Sequence, residues 1–142
     1  MDKPDALQTY FMFGNRGFDR RDPDYAARTL ANTILGGRFT SRLNKVLRTE
    51  TGLTYGASSW FDDERQGQFV VSTYTETARS EECLTLAESL YRKFVAEGLT
   101  AEELESAKSY VLGQFAPGSI ETGAQQAHVI LDLAYHGVPR TV

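Results

Sequence analysis

Arg48 and Tyr55 are the two residues whose types and spacing best suit chemistry on a peptide. They lie seven residues apart within the stretch SRLNKVLRTETGLTYGASSW, residues 41–60. Arginine offers a planar, charged fork of N–H donors, and tyrosine offers a phenolic O–H. Both groups can donate to a peptide carbonyl, or to the oxyanion that develops on it during hydrolysis. The pair is therefore the first candidate for a substrate site.

A short helix is predicted to carry Arg48. Apolar residues at helical spacing indicate a helix over about 39–49, with Gly52 as its stop. The buried stripe would consist of Phe39, Leu43, Val46 and Leu47. On a helical wheel Arg48 lies nearly opposite the centre of that stripe. Its guanidinium is therefore expected to be free rather than packed in the core.

Tyr55 is expected near the start of a strand predicted over about 53–61. On that strand it would share one face with Leu53, Ala57, Ser59 and Phe61. Because the chain reverses at Gly52, Arg48 and Tyr55 can end up near each other. From the pattern alone, however, an exposed arginine and a half-buried strand tyrosine without a role in catalysis is the commoner outcome.

The remaining pattern predicts an α+β fold. Strands are predicted over about 7–13, 53–61 and 67–76, and the polar turn DDERQG favours a hairpin between the last two. Helices are predicted over about 22–35, 39–49, 79–97, 100–115 and 120–136. The order β-α-α-β-β-α-α-α predicts a small antiparallel sheet with helices packed on one face. Residues 1–142 would form a single domain, and we expect a closing element and further domains of a longer polypeptide outside them.

Several helix details are also predicted. The first helix is expected to start at Asp22, with Pro23 in its first turn. Thr100 and Glu103 form a capping box at the start of the fourth helix, which Pro117-Gly118 would break. The third helix would turn its apolar side inward through Leu84, Ala87, Leu90, Tyr91 and Phe94.

Composition excludes some classes of function. With 41% hydrophobic and 24% charged residues, the chain resembles an ordinary soluble globular protein. A net charge of −4 and a pI near 5.2 argue against nucleic-acid binding, which needs a positive field. No apolar run approaches the roughly 20 residues that a membrane span needs. The first residues, MDKPDALQ, lack the pattern of a secretory signal, and the bacterial cytoplasm and periplasm both stay open.

The sequence offers no zinc site of its own. The two histidines, His128 and His136, are eight residues apart on one predicted helix, so their rings would be two turns distant. Neither H-E-x-x-H nor H-x-x-E-H occurs. His128 and Asp132 share a helix face, which indicates a surface pair rather than two ligands. The single cysteine, Cys83, lies among apolar residues and is expected to be a buried, inert thiol.

The segment LANTILGGRFTSRLNKVLRTETGLTYGASSWF resembles the signature L…LGG…SRL…lRe…GLaY of the insulinase/pitrilysin (inverzincin) metallopeptidases. GQFVVSTYTET, EGLTAEELESAK and GSIETGAQQAHVILDLAYHGVP are similar to flanking parts of the same family, in the same order. The resemblance runs from about Thr9 to Pro139 and is to the C-terminal homology domain, which lacks the zinc motif. It implies an antiparallel sheet with helices on one side.

The resemblance also implies a function. Members of this family close two related halves around a peptide, and one half holds zinc. The other half contributes an arginine and a tyrosine seven residues apart, which match Arg48 and Tyr55 here. The chain would thus be the substrate-binding domain of a zinc-dependent metalloendopeptidase, without a cofactor or metal of its own. Its residues Tyr55 and Arg48 would contact the peptide and its oxyanion. Its expected partner is a zinc-binding half, on the same chain or on a separate subunit.

Two other functions stay open. Some relatives are non-catalytic scaffold or recognition subunits, although an intact Arg–Tyr pair argues mildly against that role. A small ligand-binding domain unrelated to proteolysis would require the resemblance to be accidental. Exposed interdomain surface also leaves homodimerisation open. Whether the chain takes part in an active enzyme is not decided by its sequence, and alone it is expected to be inactive.

Overall fold

The computed structural model describes residues 5–62 and 67–138. Its strands are β1 (Gln8–Arg16), β2 (Ala57–Phe61) and β3 (Gln68–Glu76). Its α-helices are α1 (Tyr25–Leu35), α2 (Arg42–Asn44), α3 (Ser80–Glu97), α4 (Ala101–Phe115) and α5 (Gly123–His136). Two π-helical segments, Lys45–Glu50 and Ala116–Ile120, follow α2 and α4, and a 3-10 turn over Thr77–Arg79 precedes α3. The predicted order β-α-α-β-β-α-α-α is confirmed.

The three strands form one antiparallel sheet in the order β1-β3-β2. β1 pairs with β3 from Gln8↔Glu76 to Arg16↔Gln68. β2 pairs with β3 from Ala57↔Thr73 to Phe61↔Phe69, as the predicted hairpin requires. Most of the predicted DDERQG turn lies outside the described residues.

Alternate strand residues point to opposite faces of the sheet, and the helices cover one of them. In β3 the residues Phe69, Val71, Thr73 and Thr75 are all buried, while their neighbours are half-buried or exposed. The core between sheet and helices consists of Leu35, Leu43, Leu47, Leu53, Ala57, Phe69, Val71, Cys83 and Ala87. This arrangement confirms the predicted α+β class with helices on one face.

β1 extends further than the sequence predicts. Gly14, Asn15 and Arg16 lie beyond the predicted end of the strand, and they also pair with residues of β3. Glycine at position 14 allows the two strands to approach closely, because a side-chain carbon there would overlap the carbonyl of Phe69. The strand therefore ends at Arg16 rather than near residue 13.

Some predicted helix details are wrong. α1 begins at Tyr25 rather than Asp22, and Pro23 lies before its first turn. Leu84 is 40% exposed, and the neighbouring Cys83 takes the inward position on α3. α4 does end at Phe115 as predicted, but the chain continues as the π-helical segment Ala116–Ile120, with Pro117 in its first turn, where proline is tolerated.

Other details are confirmed. The capping box at the start of α4 is present: the Thr100 hydroxyl accepts from the Glu103 N–H, and the Glu103 carboxylate accepts from the Thr100 N–H. Gly52 ends the helical turn before β2 with a φ of 61°, a left-handed conformation that favours glycine. The chain can therefore reverse sharply between the helix that carries Arg48 and the strand that follows.

Polar groups from the helices fill the outer edge of β2. The Asn44 amide donates to the Ala57 carbonyl (2.7 Å) and accepts from the Ala57 N–H (3.0 Å), as a neighbouring strand would. Asn32 donates to the Ser59 carbonyl (3.0 Å), and the Ser59 N–H reaches the Gly36 carbonyl (3.2 Å). A side chain at Gly36 would collide with Ser59. These contacts fix the start of β2 against α1 and α2.

Candidate functional site

Arg48 lies in the π-helical segment and is half-buried. Its guanidinium stacks over the ring of Phe39, 4.5 Å from the ring centre. Among the described residues, no carboxylate lies within ion-pair distance of it. The side chain is thus oriented by an aromatic ring while its N–H donors stay without an ionic partner.

Phe39 was predicted on the buried stripe of this helix, and that prediction is wrong. The side chain is 67% exposed. The helix begins only at Arg42, with Ser41 as its N-cap, so Phe39 precedes the helix and does not follow its periodicity. Leu43 and Leu47 are fully buried as predicted. Phe39 instead supports the guanidinium of Arg48 from the outside.

Tyr55 lies before β2 rather than on it. Its side chain is 79% exposed, whereas Leu53, Ala57 and Ser59 are buried. The prediction that Tyr55 shares their face is therefore wrong. The cause is local: the Thr54 hydroxyl accepts from the Gly56 N–H (3.1 Å) and donates to the Gly56 carbonyl (2.9 Å). This tight turn at 54–56 directs the tyrosine outward before strand pairing starts at Ala57.

The backbone between the two residues is firmly held. The carbonyl of Leu47 accepts from the N–H groups of both Leu53 (2.9 Å) and Thr54 (3.2 Å). The Thr51 N–H reaches the Val46 carbonyl (3.0 Å), which is the long hydrogen bond of a π-helical turn. From the sheet, the Thr75 hydroxyl donates to the Leu53 carbonyl (2.6 Å). We call residues 47–57 the helix-to-strand corner.

Tyr55 opens onto a cavity of about 350 Å³. Gly52, Leu53 and Tyr74 form part of its wall, and the charged residues beside it are Glu76 and Arg79. Arg48 does not line this cavity, and no hydrogen bond within the described residues joins Arg48 to Tyr55. Both side chains are accessible from solvent at the same corner, and their joint contact with a substrate stays a prediction.

A second arginine of the same region, Arg42, is paired within the chain through its Nε and Nη2 atoms. Its guanidinium makes two 2.7 Å bonds to the Glu103 carboxylate and one of 3.0 Å to the Gly98 carbonyl. It also stacks over Phe94 at 5.1 Å. The hydrogen bonds from Arg42 lower the pKa of Glu103 to about 2. This pair ties α2 to the start of α4, a contact that the sequence did not predict.

The two histidines do not form a metal site. His128 is exposed, whereas His136 is buried, with its Nε2 atom 3.5 Å from Asp132. The predicted pair of His128 with Asp132 is wrong, because Asp132 pairs with His136 and with Arg20, at 3.3 Å. Across residues 5–62 and 67–138, no group of three or more histidine, cysteine or acidic side chains could hold a metal ion.

Cys83 is fully buried, as predicted. Burial raises the pKa of its thiol, while hydrogen bonds to Thr73 and Thr75 oppose the shift. A thiol of raised pKa is a poor nucleophile at neutral pH, which agrees with an inert role.

In the described part of the chain, no helix is both long enough and apolar enough to cross a membrane.

The sequence matches the family model of the peptidase M16 inactive domain over residues 1–111. The chain belongs to this family. The resemblance to the C-terminal, non-metal domain of the insulinase-type metallopeptidases is thereby confirmed.

Known relatives are larger than this chain. A non-peptidase homolog, YmxG, of Helicobacter pylori is 29% identical over 139 residues, which are 95% of this chain and 32% of that protein. The crystal structure of a peptidase M16 inactive domain from Pseudomonas fluorescens is 34% identical, with a TM-score of 0.85. The similarity covers 94% of this chain and 32% of that chain. The chain thus spans about a third of the length of these relatives.

A third similarity, to a structure of low sequence identity, supports the fold and nothing further. The structure of a protein assigned as a zinc protease, from Bordetella pertussis, is 19% identical with a TM-score of 0.78. The similarity covers 95% of this chain and 74% of that one. The small antiparallel sheet with helices on one face is therefore a domain architecture that recurs in larger peptidase-related chains.

Proposed function

We propose that this chain is the substrate-binding, non-metal domain of a zinc-dependent metalloendopeptidase, in which Arg48 and Tyr55 contact the peptide. The observation that carries the proposal is Tyr55: its side chain is 79% exposed on a backbone that hydrogen bonds hold in place. Within the described residues its phenol has no hydrogen-bond partner. A fixed backbone and an unused donor together suit a group that acts on a ligand.

Each residue has a separate task in this proposal. The Tyr55 hydroxyl donates a hydrogen bond to the oxygen of the scissile carbonyl, and this bond strengthens as negative charge develops there. Arg48, oriented by the ring of Phe39, donates to carbonyl groups of the peptide backbone. Neither residue takes or gives a proton to the reaction, so both act by binding and orientation.

Zinc belongs to another domain in this proposal. The described residues do not fit the metal, because no three suitable ligands converge and the buried His136 already faces Asp132. The zinc-binding half is carried by the same polypeptide or by a separate subunit. We expect the chain alone to show no zinc-dependent peptidase activity.

Tyr55→Phe tests the proposal in the assembled enzyme, with the zinc-binding half present. We expect kcat to fall on the order of 10²-fold, the usual loss for one oxyanion donor. Tyr110→Phe is the matched control, since Tyr110 is also partly exposed but lies on α4, away from the corner. An unchanged kcat for Tyr55→Phe in an intact assembly would remove the proposed role of Tyr55.

A scaffold or recognition subunit is the second candidate function. The relative from Helicobacter pylori, a non-peptidase homolog at 29% identity, favours it. The two functions differ in the partner half: a peptidase needs an intact H-x-x-E-H motif there, and a scaffold does not. Zinc analysis of the purified assembly decides between them, since one bound zinc per pair of halves supports the peptidase and its absence supports the scaffold.

A further inference from the structure

Two threonines of β3 lie in the core, where apolar side chains are the rule. The inward positions of the strand are Phe69, Val71, Thr73 and Thr75, so one end of this row is apolar and the other carries hydroxyls. Thr73 is 2% exposed and Thr75 is 3% exposed. A buried hydroxyl costs free energy unless it is hydrogen-bonded, and valine has a similar shape without that cost. The partners of the two hydroxyls therefore explain why threonine occupies these positions.

Those partners are two backbone carbonyls of the helix-to-strand corner, one on each side of Tyr55. The Thr75 hydroxyl donates to the Leu53 carbonyl (2.6 Å), two residues before the tyrosine. The Thr73 hydroxyl donates to the Gly56 carbonyl (3.1 Å), one residue after it. Strand pairing between β2 and β3 begins only after this segment. The two threonines thus attach the backbone that carries Tyr55 to the sheet where strand pairing does not.

The helical side of the corner holds the complementary groups. The Leu47 carbonyl accepts from the N–H groups of Leu53 and Thr54. Residues 53–56 are therefore held through N–H groups by the helix and through carbonyls by the sheet. Because the Tyr55 side chain is 79% exposed, few side-chain contacts orient it. The direction in which its phenol points depends on this backbone.

The two hydroxyls are themselves fixed from α3. The Cys83 thiol is fully buried and forms hydrogen bonds with Thr73 and Thr75. A hydroxyl that donates to a carbonyl keeps lone pairs on its oxygen that can accept from a thiol. At 2–3% exposure neither threonine can touch a substrate. Any effect that the threonines have on a substrate must therefore act through Tyr55.

We propose that Thr73 and Thr75 are positioning residues for Tyr55: by fixing the carbonyls on both sides of it, they set where its phenol lies relative to the substrate. This inference rests on the proposed function, in which that phenol donates to the developing oxyanion. Such a donor acts only from its final position, and a displacement of about 1 Å can cost on the order of 10²-fold in rate. Thr75 has the larger role, because Thr73 shares the Gly56 carbonyl with the Thr54 hydroxyl (2.9 Å).

Thr75→Val in the assembled enzyme tests the inference, because valine removes the hydroxyl and keeps the shape. We expect kcat to fall about tenfold while KM stays within about twofold, since the displaced contact is one made in the transition state. Thr75→Ser keeps the hydroxyl and should retain kcat within about twofold of the unaltered enzyme. Thr73→Val should lower kcat about threefold, because its carbonyl keeps a second donor.

Thr33→Val is the matched control. Thr33 is also buried, and its hydroxyl donates to the Thr29 carbonyl (2.9 Å) within α1, away from the corner. This variant loses the same kind of internal hydrogen bond, so kcat per assembled enzyme should not change. A fall in kcat as large as that of Thr75→Val would show that any buried threonine has this effect, and the inference would be wrong.

The same substitution in the Tyr55→Phe background separates positioning from a general loss of structure. A positioning residue acts through the phenol, so Thr75→Val should lower kcat by less than about twofold once the phenol is gone. A purely structural role would lower kcat by the same factor in both backgrounds, and that result would overturn the inference. If Thr75→Val does not assemble, Thr73→Val in both backgrounds provides the same test.

The outcomes also distinguish this inference from the proposed function. If Tyr55→Phe lowers kcat and neither threonine variant does, Tyr55 acts on the substrate and the inference about Thr73 and Thr75 is wrong. If Tyr55→Phe leaves kcat unchanged, the proposed function fails, and the inference fails with it.

Discussion

Two arginines only six residues apart in the sequence behave in opposite ways. The Nε and Nη2 atoms of Arg42 donate hydrogen bonds to Glu103 and to the Gly98 carbonyl, so these donors are used within the chain. Arg48 stacks on an exposed phenylalanine and, in the described residues, has no carboxylate partner. Both are half-buried, and they lie in consecutive helical segments: Arg42 in α2 and Arg48 in the π-helical segment that follows it.

This difference separates groups that hold the fold from groups that are available to a ligand. A polar side chain whose partners are all internal contributes to stability, and its loss leaves another group unsatisfied. A side chain that is oriented but unpaired contributes little to stability and keeps its donors for another molecule. Arg48 and Tyr55 are of the second kind, whereas Arg42 and Asn44 are of the first.

The largest loss of stability is expected from Asn44→Ala. Asn44 is buried and bonds to both the N–H and the carbonyl of Ala57, which would then be left without those partners. The free energy of unfolding should fall by about 2–4 kcal/mol, measured by urea denaturation. Asn15→Ala, at an exposed end of β1, should change it by less than about 0.5 kcal/mol. Equal losses at the two positions would show that the hydrogen bonds from Asn44 to Ala57 do not stabilise the fold.

A smaller effect should be visible as a dependence on pH. The pKa of Glu103 is lowered from 4.5 to about 2, so the folded state binds this proton more weakly than the unfolded state does. The stabilisation is complete above about pH 4.5 and is lost as pH falls towards 2. Comparing urea midpoints of the unaltered protein and Glu103→Gln over this range isolates the contribution. Parallel curves for the two proteins would show that the Arg42–Glu103 pair does not contribute.

Arg48→Ala should have the smallest effect on stability. Because no ion pair is broken, the free energy of unfolding should stay within about 0.5 kcal/mol of the unaltered protein. In the assembled enzyme the same change should raise KM, since a contact to the peptide is lost. Arg42→Ala is the contrasting variant, because it should lower stability. A marked loss of stability for Arg48→Ala would place this arginine among the structural residues.

Much of the fold could be predicted because it depends on local signals. The capping box at Thr100, the left-handed stop at Gly52 and the amphipathic pattern of α3 all act within a few residues of sequence. The antiparallel pairing of β2 with β3 could be predicted because the short polar turn between these strands favours a hairpin. These signals were sufficient for the element order and the α+β class.

The errors occur where tertiary contacts override periodicity. Tyr55 was assigned to a strand because alternation starts at Leu53, but Leu53 and Thr54 give their N–H groups to Leu47 instead of a neighbouring strand. Phe39 was assigned to a helix that starts three residues later. Regular 100° steps also fail in the π-helical segment Lys45–Glu50, where hydrogen bonds skip one more residue.

The apolar character of the outward side of β1 was within reach of the sequence. The alternation of Tyr10 and Met12 with Phe11 and Phe13 makes β1 apolar on both sides, which is unusual for a strand with one side in water. The periodicity of its core-facing residues alone does not distinguish such a strand from one with a polar outward side, whereas the identity of its outward residues does.

The amide of Asn44 determines at which edge this sheet can accept an additional strand. Asn44 occupies the backbone hydrogen-bonding groups of Ala57 at the outer edge of β2, and Asn32 and Gly36 occupy those of Ser59. No further strand can therefore pair with this edge of β2 at these residues. Within the described residues no strand lies beyond β1. In the described part of the chain, an additional strand from the same polypeptide or from another molecule would therefore add beside β1, so the sheet can extend in one direction.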